Sequence, residues 1–147
     1  MLRKYELIDC ITKGVRVLHR IRSLRSFGDV KEGDIGGYIE DEKNLSHKGN
    51  CWIYHRAIAA DTAKVTGNAQ IFGDANISGT ARVFGDAWIC GYGWISDSAE
   101  VFGDAWVSGN IHIFSGVRLI SGIWNRNLQI GHKHYAVSTT LRRVLIS

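Results

Sequence analysis

From Cys51 to Gly122 the chain reads as twelve consecutive hexads of the form small–x–aliphatic–x–Gly–(Asp/Asn), with no inserted residue. The clearest run is AQIFGD, ANISGT, ARVFGD, AWICGY, GWISDS, AEVFGD, AWVSGN, residues 69–110, and a degenerate hexad, residues 45–50, precedes the series. Hexapeptide periodicity with Gly and Asp/Asn punctuation predicts a parallel β-helix, each repeat supplying one short strand and a corner. Alternation along a strand sends the first and third hexad positions to one side and the second and fourth to the other. Ala69, Ala75, Ala81, Ala87, Ala99 and Ala105 with Ile71, Ile77, Val83, Ile89, Ile95, Val101 and Val107 are the expected inward rows. A narrow tube has room for one small and one β-branched side chain per strand. The fifth and sixth positions carry residues that turn a chain sharply at little cost.

Three hexads make one triangular coil of eighteen residues. That spacing recurs in Trp52, Trp88, Trp106 and Trp124, with Gln70 filling the gap. These four tryptophans are expected to stack outward in one line. Tyr54 and Phe72 share their face, and Phe84 and Phe102 form a second row on another face. Large apolar patches rich in Trp and Tyr mark interfaces, so these side chains form the expected contact surface.

Zero proline suits a sheet that needs nearly every N–H in its ladder. The absence of an apolar run of about eighteen residues, and of a secretory signal at the start, leads to the expectation of a cytoplasmic protein without a membrane span. Cys10, Cys51 and Cys90 lack C-x-x-C spacing and read as reduced thiols. The net charge of +4 is concentrated at the ends: residues 1–25 hold seven basic and two acidic residues, and residues 118–147 hold five basic and none acidic. These cations are not interleaved with stacking aromatics, so nucleic acid is not the expected partner.

The expected domain plan is an N-terminal β-hairpin cap with its connecting loop (1–44), the hexapeptide solenoid (45–124) and a C-terminal cap or tail (125–147). The hairpin runs through Tyr5–Ile11, a turn at Thr12–Gly14, and Val15–Ile21. Its Arg16, Arg20 and Arg22 are candidate contact residues beside the aromatic face. A capped end protects a solenoid from edge-to-edge association. Leu141–Ile146 is the expected cap at the far end.

The order KYEL (4–7), RSLRSFGDV (22–30) and KEGDIGGYIEDEKNLSHKGNCWIY (31–54), running into A-x-V-x-G-N hexads, resembles a family of phage and prophage hexapeptide-repeat β-helix proteins. That family is distantly similar to hexapeptide-repeat transferases of enteric bacteria, and the resemblance covers about residues 4–124. It implies an all-β, left-handed parallel β-helix; the handedness comes from the resemblance and not from the spacing. It also implies an accessory protein that engages a host or phage protein, such as an inhibitor of a bacterial defence system of the anti-CRISPR kind.

Catalytic chemistry is weighed on the histidines and acids. Acyl transfer needs a positioned general base, most often His, and a catalytic zinc needs three ligands. His55 falls on a corner and His112 on the second face, too far apart to share an ion, while His132 and His134 form only a pair. Asp74, Asp86 and Asp104 recur at the sixth position, where turn geometry accounts for them. Cys90 has no neighbouring base to activate it. The expectation is therefore a chain with no catalytic residue, metal or cofactor, working through a protein partner and as a homo-oligomer. The alternatives are an acyltransferase-like enzyme with a site between subunits and a self-assembling structural solenoid.

Overall fold

The first and third hexad positions line a tube sealed from solvent: Ala63, Ala69, Ala75, Ala81, Ala87, Ala99 and Ala105 are buried, as are Ile71, Ile77, Val83, Ile89, Ile95, Val101 and Val107. The computed structural model describes residues 3–125, 128–131 and 144–146. It is an all-β solenoid of stacked eighteen-residue coils, with three sheets of mostly two-residue strands. Strands in adjacent coils pair in parallel at eighteen-residue register, as in Gln70 with Trp88 and Trp88 with Trp106. Backbone bonds such as Trp88 N–H to Ala105 O (2.9 Å) and Cys90 N–H to Val107 O (2.8 Å) run from coil to coil.

The corners need left-handed backbone. Gly85, at φ +66°, shows why glycine recurs: a Cβ there would sit 2.8 Å from the Gly103 nitrogen of the next coil. Asp61 and Asp97 occupy the same corner position at φ +57° and +55°. Each offsets the strain by accepting a backbone N–H from the coil above: Gly79 to Asp61 at 2.9 Å, Ser115 to Asp97 at 3.3 Å.

At the N-terminal end β1 (Tyr5–Lys13) and β2 (Arg16–Ser23) form the hairpin, with a bulge between Leu7 and Asp9. β3 (Ile35–Ile39) pairs antiparallel with β2 and parallel with Ile58–Ala59, so the hairpin extends one of the solenoid's own sheets to eight strands. β3 lies across the mouth of the tube, where a Cβ on Gly36 would meet the Ile53 carbonyl oxygen at 2.6 Å. Beneath this cap Tyr5 stacks on His47 (4.1 Å) and donates to Leu45 O (2.7 Å). Lys4 is fully buried; its ammonium donates to Cys51 O (2.6 Å) and Gly49 O (3.3 Å), and burial lowers its pKa. Asn44 closes the first coil by donating to Ala63 O (2.9 Å) and Asp61 O (3.1 Å).

Two expectations about the tryptophan line are corrected here. Trp52 does fall in register with Gln70, but the cap folds over it: Phe27 and Tyr5 pack against its ring at 5.3 and 6.3 Å, and it is 1% exposed. At the other end the hexads are interrupted, because the last corner is one residue short. Trp106 pairs with Ile123 and Val107 with Trp124. A one-residue slip exchanges the faces of a strand. Trp124 therefore points inward, 2% exposed, and donates its indole N–H to Ser121 O (3.0 Å), while Ile123 is exposed. Val144–Ile146 pairs antiparallel with Val117–Leu119 at this end.

Candidate functional site

The three outward faces differ in what they gather. The first carries an aromatic ladder whose members are Tyr54, Phe72, Trp88 and Trp106: Tyr54 stacks on Phe72 (4.1 Å), Phe72 meets Trp88 edge-on (5.4 Å), and Trp88 covers Trp106 (4.2 Å). Cys90 lies half-buried on this face. The third face holds Phe84 stacked on Phe102 (4.7 Å, 2° between planes), beside a Glu100–Arg118 ion pair (2.8 Å).

The candidate arginines of the hairpin also make contacts within the molecule. Arg16 pairs with Asp61 (2.8 Å), and Arg22 pairs with Glu6. Arg20 lies over the Tyr38 ring (4.7 Å), donates to the Tyr38 hydroxyl, and donates to the His55 carbonyl (3.1 Å). Two of these three side chains, Arg16 and Arg20, tie the cap to the solenoid. Asp74 pairs with Arg56 (3.0 Å) and Asp86 accepts from Asn68 (3.2 Å), in keeping with corner roles.

The second face brings together the residues with chemistry. Its outward column in the second hexad position runs Tyr38, Ile58, Asn76, Trp94, His112 through successive coil pairings. The column beside it, in the fourth position, includes Ala60, Ser78, Ser96 and Phe114. His112 lies flat on Trp94 (4.2 Å, 9°) and is flanked by Phe114 (4.6 Å). Its Nε2 is 3.0 Å from the Ser96 hydroxyl. Burial among these rings lowers the His112 pKa below its ordinary 6.5, and the Asp97 carboxylate partly opposes the shift. The imidazole is therefore uncharged at neutral pH, with a lone pair available as a base. Trp94 donates to the Ser78 hydroxyl at 3.4 Å. Ser96 is 8% exposed, sheltered yet reachable from outside the tube.

Two coils below, the hairpin overhangs the same face. Ile11 and Lys13 of β1 form one wall of a groove of about 270 Å³ whose other lining residues are Tyr38, Ile58, Asn76, Arg56 and Asp74. Asn76, which lines the groove, lies two coils from His112 in the column, about 10 Å at the usual strand spacing of about 4.8 Å.

The sequence reading placed His112 on this face but did not pair it with Ser96. The signal is a spacing of sixteen, one coil less two residues, which sets the fourth position of one strand beside the second position of the next. Arg126, His132, His134 and Leu141 lie outside the described residues. Among the described residues no three His, Cys, Asp or Glu side chains gather as a metal-binding set, and no helix is long and apolar enough to cross a membrane.

No protein-family model matches the chain. It is similar to a protein of Escherichia coli (strain K12) named "Uncharacterized acetyltransferase YdcK", with 42% identity over 57 residues. The shared stretch is 38% of this chain, which spans 18% of the length of that relative. This finding overturns the expectation of a chain without catalytic activity, since the similar protein carries the name of an enzyme.

Proposed function

We propose that the chain serves acyl transfer, with His112 as the general base that takes a proton from the group being acylated. The reading rests on the 3.0 Å approach of His112 Nε2 to the Ser96 hydroxyl on a face where burial keeps the imidazole uncharged. The name of the Escherichia coli relative supports the reaction class. The donor is an activated acyl compound such as a thioester, and the acceptor a hydroxyl or amine. A base with a pKa somewhat below neutral holds most of its population in the working form at pH 7. Stacking on Trp94, with Phe114 close beside it, restricts the plane of the ring, which limits how far the nitrogen has to be oriented during reaction.

The test is thiol release from an acetyl thioester by the purified chain, with a panel of amines and alcohols. Removal of a general base costs about 10²–10⁴-fold, so His112→Ala should reduce release by at least about 10²-fold. Equal release by wild type and variant would overturn the proposal.

A second reading, self-association through the first face, is favoured by Trp106, which is 40% exposed at the end of the aromatic ladder. Light scattering should then show a multiple of the chain mass that Trp106→Ala reduces to a monomer; a wild-type monomer would overturn it.

A further inference from the structure

We infer that Ser96 is a covalent nucleophile, so that transfer proceeds in two steps through an acyl-serine; this rests on the acyl-transfer reading above. The observation that carries it is which group occupies the base. His112 Nε2 already has the Ser96 hydroxyl as its partner at 3.0 Å. In the tautomer that carries its proton on Nδ1, Nε2 accepts from the Ser96 Oγ–H, and an external acceptor could then reach that nitrogen only by displacing Ser96. A hydroxyl within hydrogen-bond reach of a neutral imidazole, with the imidazole itself held by further groups, is the arrangement that activates serine. Here the holding groups are the Trp94 ring stacked on His112 and the tilted Phe114 ring beside it. Ser96 follows the Trp94–Ile95 strand, two residues from the exposed Trp94, and retains 8% exposure.

In the first step the Ser96 Oγ–H proton passes to His112 Nε2 as Oγ bonds to the acyl carbon. The carbon–sulfur bond of the thioester breaks, and the imidazolium returns the proton to the departing thiolate. In the second step Nε2 takes the proton of the acceptor O–H or N–H as the acceptor bonds to the acyl carbon. The acyl–Oγ bond breaks and the proton returns to Ser96. The sum is thioester plus acceptor giving acylated acceptor plus thiol, with no oxidant or reductant. With water as acceptor the same cycle is a slow thioester hydrolysis.

The experiment uses the full chain with S-acetyl-N-acetylcysteamine, quenched in acid and digested for peptide mass analysis. The expected result is one acetyl group on the peptide containing Ser96, appearing together with a burst of thiol. Ser96→Ala should remove the label, Ser78→Ala should keep it, and Ser96→Cys should restore it as an acyl thioester. His112→Gln should slow labelling by at least about 10²-fold, and the wild-type labelling rate should rise with pH through the lowered His112 pKa. If thiol release depends on His112 while Ser96 stays unlabelled and Ser96→Ala remains active, the acyl-serine is overturned and the general-base reading survives. If the wild type releases no thiol, both fall.

Discussion

Trp124 pairs with Val107 rather than with Trp106, and this one-residue offset turns the indole into the tube. An eighteen-residue periodicity continued to the end would have set the polar Asn125 opposite Val107 and turned Trp124 outward. The shortened corner instead seats the bulkiest side chain of the last described coil against the inward row, with its N–H satisfied by Ser121 O. A buried tryptophan thus lies at each described end, Trp52 outside the tube but under the cap and Trp124 inside the final coil.

That placement predicts unequal costs for two tryptophans the sequence makes equivalent. Trp124→Ala removes a buried ring and should cost about 3–5 kcal/mol. Trp106→Ala removes a 40% exposed ring stacked on Trp88 and should cost about 1 kcal/mol. Urea midpoints of the two variants check this; a larger loss for Trp106→Ala would contradict the register described here.

Gly14 and Gly85 have nearly the same backbone angle, φ +64° and +66°, but different surroundings. A Cβ at Gly14 meets nothing within 4 Å, whereas at Gly85 it meets the Gly103 backbone at 2.8 Å. Gly14→Ala should cost about 1–2 kcal/mol, the ordinary left-handed penalty. Gly85→Ala should cost clearly more, because the next coil must also move. Thermal or urea unfolding of both variants separates the conformational cost from the steric one.

Asp61 is stabilised as a carboxylate, chiefly by the Gly79 N–H and then by Arg16, and its pKa is lowered from 3.8. A depressed carboxylate contributes stability that is present above the unfolded-state value near 3.8 and is lost as pH falls through the folded-state value. Asp61→Asn keeps an acceptor for Gly79 but loses the charge. The two proteins should therefore differ by about 0.5 kcal/mol at neutral pH, as befits a half-exposed pair, and converge in acid. Urea midpoints measured from pH 7 down to pH 2 would refute this if the gap persisted unchanged.

His112 offers a second titration with the opposite use. Burial lowers its pKa and Asp97 raises it, burial being the larger influence. Asp97→Asn removes the opposing charge while tolerating the left-handed backbone at that corner. The imidazole midpoint, followed by its NMR proton shifts, should lie below 6.5 in the wild type and lower still in the variant. An upward move would show that Asp97 does not act on the ring.

Much of the solenoid was legible because its rules are local. Ala69 and Ile71 point inward for the same reason as every other first and third position: alternate residues of a strand face opposite ways. Gly85 and Asp61 could be read as corners from turn chemistry alone. Trp52 could not be read, because its burial depends on Phe27 and β3, earlier in the chain, folding back over it rather than on its own hexad. The partners of Arg16 and Arg20, namely Asp61, Tyr38 and His55, were not legible because they are distant in sequence.

The sequence alone therefore determined the coil length, the two inward rows and the corners, since each follows from a handful of adjacent residues obeying strand alternation and backbone sterics. Only the tertiary structure decided which aromatics remain outside and which close the ends. It also decided that Ser96 and His112 meet, because a contact between coils depends on register accumulated over a whole turn of the solenoid. A single omitted residue near Gly122 is enough to shift that register for Ile123–Trp124 and for Leu128–Ile130.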